Sequence, residues 1–426
     1  MITSELLSYV KAGKLNKKLA DIYGEENVAE QIERYCEAIG DFLSLYGERE
    51  ISLFSVPGRS EISGNHTDHN HGKVLAGSIN LDIIAVATKT DDGVITIKSK
   101  GFPEDVIDTN SYTSPCENDY FKSGALIAGM ANAFTNAGYN KGGYIAYTTS
   151  NVFKGSGLSS SAAFEVMVGN ILNYFYNKGK VENTEIAKMA QYAENVFFGK
   201  PCGLMDQMAC AVGGFVYIDF EDTKNPIIEK IPFDLSAKGY ALCIVNTGGN
   251  HADLNEDYAS VPAEMKSVAK LFGAEYLRQI PKSRVLDNIK ALREAVGDRA
   301  VLRAIHFFNE NDRVTRQARA LKKENLTHFF RHTKASGRSS FMYLQNVFTT
   351  KNVQEQGLSL ALAITDAVMD GKGGAFRVHG GGFAGTIQAF VPFKLVETYK
   401  STIEKAFGDG ACHVLRIRPY GAIKVL

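Results

Sequence analysis

The chain has 426 residues and carries 47 basic and 47 acidic side chains, so its formal net charge at pH 7 is zero. Hydrophobic residues make up 45% of the sequence and charged residues 22%, which is typical of a globular protein rather than of a disordered chain. This balance argues against a dedicated nucleic-acid-binding protein, because contacts along phosphates require a basic excess or a basic block. At roughly 150 residues per domain, the length predicts two or three domains.

The N-terminus and the cysteines favour a cytoplasmic location. Residues Met1 to Leu7 lack the basic and apolar stretches of a secretory signal. Apolar runs such as Ile83 to Ala87 are far shorter than the roughly 18 residues of a membrane span. Six cysteines without C-x-x-C spacing indicate free thiols. We therefore expect a cytoplasmic protein, a monomer or weak oligomer, without membrane or nucleic-acid partners.

The first half of the chain begins with a helix and continues with strands. Apolar residues recur at helical spacing from Val28 to Tyr46, which predicts an amphipathic helix before a strand at Ile51 to Val56. Asp91 to Gly93 is predicted as a turn, and Gly213–Gly214 as the centre of a β-hairpin. The further predicted strands are Ile79 to Thr88, Val94 to Ser99 and Gly143 to Thr149. The further predicted helices are Ser159 to Tyr176 and Thr184 to Phe198.

The second half combines a strand, a long helical region and a short mixed end. A strand is predicted at Tyr240 to Asn246, and helical patterns dominate from Asp253 to Asp370, with interruptions at Pro281 and Ser336–Gly337. The chain is then predicted to form a strand at Ala375 to Val378, a glycine turn and a strand at Thr386 to Val391. A helix at Lys394 to Phe407 and a strand at His413 to Ile417 follow.

This order of elements predicts an α+β fold, with helices packed on one face of an antiparallel sheet in both halves. A doubly wound parallel sheet is the less favoured alternative, because the order does not repeat βαβ. The polar segment Glu221 to Pro226 is the predicted boundary, which divides the chain into domains 1–222 and 223–426.

The segment Lys154 to Ala163 is rich in glycine and serine and lies between a predicted strand and a predicted helix. Glycines let backbone N–H groups approach an anion, and a helix start adds unpaired donors and the positive end of a dipole. The segment is not a Walker loop, and Ser160 stands where a dinucleotide fingerprint has its third glycine. The residues alone leave two interpretations open, a phosphate-binding loop and a Gly-Ser connector with a serine N-cap.

A second glycine-rich segment, His379 to Gly385, formally spells G-x-G-x-x-G. The residues after it alternate like a strand, whereas a dinucleotide loop opens a helix. We interpret it as a glycine turn whose backbone is accessible to a ligand.

Polar and histidine side chains crowd the segment Pro57 to Gly72, directly after the first predicted strand. So many donors and acceptors fit a polyhydroxylated or charged ligand, because each sugar hydroxyl needs a directed partner. Metal binding by His66, Asp68, His69 and His71 is a second interpretation, and a polar turn with solvated histidines is the third.

A single carboxylate, Asp206, stands in the otherwise apolar and glycine-containing segment Gly199 to Ala209. Such an acid is more often a cap or a hydrogen-bonded structural residue than a catalytic base, and both interpretations stay open on the segment alone.

Together these segments resemble the GHMP small-molecule kinases, and within them the galactokinases. The resemblance covers roughly residues 50 to 426. Gly58 to Gly72 is similar to the sugar motif of the family, and Gly155 to Ala163 is similar to its phosphate loop. Cys202 to Gln207 is similar to the acid motif, and Gly380 to Gly385 is similar to the C-terminal glycine motif. It implies a two-domain fold with the active site in the cleft between the domains. The N-terminal helix before the first strand exceeds the usual family N-terminus and has no predicted role.

The resemblance also implies roles for single residues. Asp206 matches the catalytic carboxylate, and Arg59 matches the arginine beside it and the transferred phosphoryl group. Ser161 and Glu194 match the residues on the magnesium side. The expected nucleotide-binding residues are Gly155, Ser156, Gly157, Leu158, Ser159, Ser160 and Ser161. The expected sugar-binding residues are Asn65, His66, Asp68, Gly203 and Tyr258.

The function implied by this resemblance is Mg²⁺-dependent transfer of phosphate from ATP to the anomeric hydroxyl of galactose. Two departures from the family bear on it: Asn65 replaces a Glu, and Pro262–Ala263 replaces an arginine-rich stretch. Because Asn65 no longer repels an anion, galacturonate is the runner-up substrate. Two further hypotheses stay open, a non-catalytic sensor of sugar and ATP and a metal-dependent hydrolase built on the histidines.

Overall fold

The computed structural model describes residues 1–152, 158–249 and 254–426. Its strands are β1 (Ser52–Ser63), β2 (Lys73–Lys89), β3 (Val94–Ser99), β4 (Glu104–Asp108), β5 (Tyr144–Ser150), β6 (Phe215–Asp219), β7 (Ile227–Ile231), β8 (Tyr240–Asn246), β9 (Ala375–His379), β10 (Thr386–Pro392), β11 (Cys412–Leu415) and β12 (Ile423–Lys424). Its α-helices are α1 (Thr3–Lys11), α2 (Asn16–Tyr23), α3 (Val28–Tyr46), α4 (Ser123–Asn136), α5 (Ser160–Asn177), α6 (Asn183–Tyr192), α7 (Met205–Val212), α8 (Asn255–Lys270), α9 (Lys282–Leu286), α10 (Ile289–Val296), α11 (Asp298–Lys322), α12 (Leu326–Ser339), α13 (Gly357–Met369) and α14 (Val396–Phe407). Both kinds of element occur in both halves, so the prediction of an α+β fold is confirmed.

The larger sheet has the strand order β12-β1-β2-β5-β3-β4, and β6 and β7 extend it along the first half of β2. Neighbouring strands are antiparallel except β3 and β5, which run parallel. The turn at Asp91 to Gly93 joins strands that are not neighbours, because β5 lies between β2 and β3. Strand pairing over this distance in sequence is a tertiary property, and the local alternation that predicted both strands carries no information on it.

Helices cover both faces of this sheet, so the prediction of a single covered face is wrong. Alternate residues of a strand point to opposite faces. Phe54 and Ala85 face a core formed with α4 to α7, whereas Leu53 and Ile84 face a second core formed with α1 to α3. The N-terminal helices, which had no predicted role, therefore close the second face.

The smaller sheet is antiparallel, with the order β11-β8-β10-β9. It also has helices on both faces. One face packs on α13 and α14. The other packs on α11 and α12 in a core that also includes Ile62, Leu75 and Phe215 of the larger sheet. This shared core joins the two sheets.

Two predictions made from glycine positions, a hairpin at Gly213–Gly214 and a helix interruption at Ser336–Gly337, are wrong. Gly213–Gly214 joins α7 to β6, and the hairpin is the next connection, between β6 and β7. Helix α12 continues through Ser336–Gly337, where a side chain on Gly337 would lie 3.1 Å from the carbonyl oxygen of Phe376. Gly337 therefore allows close packing on β9 and does not mark a break in the helix.

The predicted domain boundary falls within the β6–β7 hairpin. Strand β7 pairs with β6, and β12 at the other end of the chain pairs with β1, so segments beyond residue 222 also contribute to the larger sheet. The division into 1–222 and 223–426 stays a prediction.

Candidate active site

Only part of the predicted phosphate loop falls within the described chain. Gly155, Ser156 and Gly157 lie outside the described residues. Leu158 is buried, and its carbonyl oxygen accepts a hydrogen bond from the backbone N–H of Arg59 at 3.1 Å. Ser159 precedes α5, and Ser160 and Ser161 lie in the first turn of that helix, where a helix presents its free N–H groups.

The strand that carries Arg59 is irregular at this point, and the irregularity brings it close to the loop. The register between β1 and β2 shifts between Pro57 and Arg59. A side chain on Gly58 would lie 2.9 Å from the carbonyl oxygen of Leu158, so the approach of β1 to the loop requires glycine. Bulges of this kind redirect side chains in active sites.

Arg59 and Asp206 form a bidentate salt bridge. Arg59 Nε lies 2.7 Å from Asp206 Oδ1, and Arg59 Nη2 lies 2.8 Å from Asp206 Oδ2. Asp206 occupies the first turn of α7, where the helix dipole favours a negative charge. Arg59 is nearly buried, whereas 33% of the Asp206 side chain is exposed. The carboxylate is therefore paired and still accessible.

These contacts control the charge of Asp206. Burial alone raises the pKa of this carboxyl, but the charge of Arg59 and hydrogen bonds from Arg59 and Ser159 outweigh burial and hold the pKa below its usual value. Asp206 is therefore ionised at neutral pH.

A second acidic cluster adjoins Asp206. Glu194 lies in a short π-helix, Ala193–Phe197, and its Oε1 pairs with Lys200 Nζ at 3.0 Å. The amide nitrogen of Gln207 donates to Glu194 Oε2 at 2.7 Å and to Glu165 Oε2 at 3.3 Å. Burial and the charge of Glu194 raise the pKa of Glu165.

Sequence reasoning missed Glu165 and Gln207. Glu165 lies one helical turn after Ser161, and Gln207 directly follows Asp206. Ser161 and Glu165 therefore share one face of α5, but this spacing is informative only once Ser161 has been chosen as a site residue.

His66 and the C-terminal glycine turn are in contact. The Nε2 of His66 donates to the carbonyl oxygen of Gly381 at 2.8 Å, because only the protonated nitrogen can bond a carbonyl. Burial and the neighbouring His69 lower the pKa of His66 to about 4, so the ring is neutral and Nδ1 is an acceptor. Within the described chain, His66 Nδ1 is buried without a partner.

Asp68 and Gly203 are also brought together. A Cβ on Gly203 would lie 2.9 Å from Asp68 Oδ2, so the Asp68 carboxylate sits directly against the Gly203 backbone. Asp68 Oδ1 accepts from the backbone N–H of His69 at 3.0 Å. Gly203 and Asp206 belong to the same short segment, so Asp68 lies beside the segment that carries Asp206.

Asn65 is fully buried, and its amide bonds to protein groups on every side. Its nitrogen donates to Glu61 Oε1 at 3.0 Å and to the carbonyl oxygen of Gly380 at 2.6 Å. Its oxygen accepts from Asn346 at 2.7 Å and from Ser340 at 3.3 Å. Asn65 therefore joins the sugar motif to the glycine turn.

Tyr258 completes these contacts. Its hydroxyl donates to the carbonyl oxygen of Gly382 at 2.8 Å, and its ring meets Phe383 edge to face at 5.4 Å. A side chain on Gly381 would lie 2.6 Å from the Tyr258 ring. The turn expected to offer its backbone to a ligand thus receives Asn65, His66 and Tyr258 on successive carbonyl oxygens.

The alternative metal site has no support in the described residues. Among them, no group of three or more His, Cys, Asp or Glu side chains could hold a metal ion. His71 instead stacks on Tyr276, with ring centroids 3.8 Å apart. All six cysteines are free, as predicted. No helix in the described ranges has the length and apolar character required to span a bilayer.

Comparison with known families defines the class of protein to which this fold and site belong. The model of the GHMP kinases N terminal domain matches residues 125–214, and the galactokinase galactose-binding signature matches residues 40–89. The galactokinase of Streptomyces coelicolor is 30% identical over 378 residues, which are 88% of this chain and 94% of that protein. The galactokinase of Clostridium tetani is 28% identical, over 86% of this chain and 91% of that protein. The chain belongs to the galactokinase family and is a carbohydrate kinase that uses ATP.

Solved structures agree with this fold. The Lactococcus lactis galactokinase complexed with galactose superposes with a TM-score of 0.74 at 23% identity, covering 90% of this chain and 98% of that one. The mevalonate kinase of Methanococcus jannaschii superposes with a TM-score of 0.61 at 16% identity, covering 86% and 98%. The GHMP kinase fold expected from the sequence is confirmed.

Proposed function

We propose that the protein transfers the γ-phosphoryl group of ATP to the anomeric hydroxyl of D-galactose. The observation that carries this proposal is the position of Asp206, which is paired with Arg59 and bonded to Ser159 at the junction of the sugar motif and the phosphate loop. Phosphoryl transfer depends mainly on alignment of the reactants and on neutralising charge, which this junction provides.

Arg59 and Asp206 have separate roles in this proposal. Arg59 offsets negative charge beside the transferred phosphoryl group. Asp206 orients the sugar hydroxyl by accepting its hydrogen bond. A carboxylate with a lowered pKa is a weak base, so orientation and electrostatic stabilisation contribute more than early proton removal.

The nucleotide lies, in this proposal, at the start of α5, with Gly155 to Leu158 and Ser159 to Ser161 around its phosphates. Mg²⁺ prefers oxygen ligands, and Ser161 and Glu194 supply a hydroxyl and a carboxylate. The buried Oε1 atoms of Glu165 and Gln207 have no partner in the described chain, which fits an oxygen-lined cation site. Bound Mg²⁺ would neutralise charge on the phosphates.

The sugar contacts come from His66, Asp68, Gly203 and Tyr258. His66 Nδ1 is an unused acceptor for a sugar hydroxyl, and Asp68 supplies a carboxylate. Asn65 acts through the loop, since its amide is used within the protein. The Asp68 carboxylate disfavours a sugar acid, which supports galactose over galacturonate. We further propose that the enzyme works in the cytoplasm, where its free thiols stay reduced, as a monomer or weak oligomer.

A panel of galactose, galacturonate and glucose with Mg-ATP tests this proposal, with ADP release and ³¹P NMR of the product as readouts. We expect galactose 1-phosphate as the main product. A preference for galacturonate would contradict the proposed substrate. Binding of galactose and ATP without turnover would identify a sensor instead of an enzyme.

The Asn65→Glu variant tests whether Asn65 only supports the loop or also selects the substituent at C6 of the sugar. A carboxylate there would face the Glu61 carboxylate and the Gly380 carbonyl, so we expect weaker kcat/KM for galactose and no gain for galacturonate. Galacturonate preferred by the parent and rejected by the variant would show that Asn65 selects the substituent at C6.

A further inference from the structure

Ser159 stands at the N-cap of α5, yet its side chain does not cap the helix. A serine N-cap ordinarily accepts a hydrogen bond from an N–H group in the first turn. Its backbone adopts the left-handed conformation, with φ 57° and ψ 61°. This conformation costs about 1 kcal/mol or more for a residue other than glycine, and such strain concentrates at functional sites.

The Ser159 hydroxyl bonds to Asp206 instead. Its Oγ lies 2.5 Å from Asp206 Oδ2, the oxygen that also accepts from Arg59 Nη2. A carboxylate can only accept in this bond, so the single hydroxyl proton of Ser159 is committed to Asp206. The N–H groups of the first turn of α5 are consequently not covered by this side chain.

We propose that Ser159 is a positioning residue for Asp206, which fixes the carboxylate for the sugar hydroxyl, rather than a ligand of the nucleotide phosphates. This inference rests on the proposed function, and it removes Ser159 from the residues proposed above to surround the nucleotide phosphates. Arg59 of β1 bonds to both oxygens of Asp206, and Ser159 adds a second hydrogen bond to Oδ2 from the phosphate loop. The two loops that hold sugar and nucleotide therefore share one carboxylate.

Several charged or titratable groups surround Asp206, and all of them influence the pKa of its carboxyl. Arg59 and Lys200 favour its ionised form. Glu165 of α5, Cys210 of α7 and His379 of β9 also interact electrostatically with Asp206. Replacement of Ser159 leaves all of these groups in place, so a change in titration reports on the lost hydroxyl.

The variants Ser159→Ala and Ser159→Gly test the proposal, because both remove the hydroxyl but only glycine relieves the left-handed backbone. We expect both to lower kcat about 10-fold, as one hydrogen bond to a charged group allows, and to leave KM for ATP within about 2-fold. We also expect the acid limb of the pH profile of kcat/KM for galactose to move up by as much as about 1 unit, since the lost donor had favoured the ionised carboxylate.

A rise in KM for ATP in both variants without a shift of the acid limb would overturn the proposal and make Ser159 a phosphate ligand. A low kcat in Ser159→Ala together with a parent-like kcat in Ser159→Gly would also overturn the proposal. It would show that the left-handed backbone at position 159 matters and that the hydroxyl does not.

A ¹³C NMR titration of the Asp206 carboxyl carbon, assigned with Asp206→Asn, tests the contact without turnover. We expect a higher midpoint in both Ser159 variants than in the parent. Equal midpoints would refute the positioning role even in an active enzyme, whereas an inactive parent with shifted midpoints would refute only the proposed function.

Discussion

At the scale of single residues, the site depends on side chains whose charge is set mainly by burial and whose remaining protons are placed by hydrogen bonds. His66 illustrates this. Its Nε2 proton is held by the Gly381 carbonyl oxygen, and burial disfavours the charged ring. The remaining nitrogen is thereby kept as an acceptor, which can receive a hydrogen bond from a hydroxyl group.

We predict that His66 does not titrate between pH 8 and 5, because its pKa lies at about 4 instead of the usual 6.5. The unfolded chain takes up the proton first, so the stability that neutral His66 contributes is present above pH 6.5 and is lost as the pH falls towards 4. Ring-proton NMR titration measures this, and the His66→Gln variant identifies the resonance. A midpoint near 6.5 would contradict the assignment.

The site residues that lie in recognisable motifs could be predicted from the sequence, whereas residues outside such motifs could not. Asp206 and Arg59 were identified through motifs, and the structure places them in direct contact. Glu165 was missed because one acid in an apolar helix carries no signal of its own, and its relation to Glu194 exists only after folding. For Asn65 the sequence showed the substitution but not that Glu61 and Asn346 use its amide.

At the scale of elements, local patterns located most helices and strands but not their neighbours. The helix Val28–Tyr46 and the strand Tyr240–Asn246 were predicted with the bounds that the structure shows. Periodicity is a property of one segment, so it could identify these. The insertion of β5 between β2 and β3, and the closing of the second face by α1 to α3, depend on contacts distant in sequence.

A buried charge network anchors the N-terminal helices to the larger sheet. Asp82 of β2 is fully buried and pairs with Arg418 and with Arg34 of α3, each at 3.0 Å. Tyr23 of α2 and Ser55 of β1 donate to the same carboxylate. One side chain therefore joins the N-terminal helices, two strands and the segment that precedes β12.

We predict that Asp82→Asn lowers the free energy of unfolding by about 3–5 kcal/mol, because it leaves the buried Arg418 and the partly buried Arg34 without this counter-charge. Urea denaturation measures the loss. Asp21→Asn, at an exposed position of α2, is the matched control and should stay within about 0.5 kcal/mol of the parent. A loss at Asp82 no larger than that of the control would show that the network contributes little.

At the scale of the whole molecule, the two sheets are joined by buried polar contacts beside the active site. Arg377 of β9 is fully buried and donates to Glu61 Oε1 at 3.1 Å and to the Ile62 carbonyl oxygen at 3.0 Å. His379 bonds to Ser60 at 3.1 Å. These contacts set the sugar motif of the larger sheet against the glycine turn of the smaller sheet.

We predict that Arg377→Met costs about 3 kcal/mol or more in unfolding free energy and weakens galactose binding, because the buried Glu61 loses the arginine that pairs with it. Adding Glu61→Gln to this variant should recover part of the loss, since the unpaired charge is gone. Denaturation of the parent, both single variants and the double variant measures this coupling. Strictly additive losses would contradict it.

The role proposed for Asp206 lies in the transfer step rather than in the fold or in binding. The most direct test is the rate of galactose-dependent ADP release by Asp206→Asn, compared with the parent under saturating galactose and Mg-ATP. We predict a loss of about 10³-fold or more, with galactose affinity by calorimetry largely retained, because the carboxylate stabilises the transition state more than the ground state. A rate within about 10-fold of the parent would contradict a role of Asp206 in the transfer step.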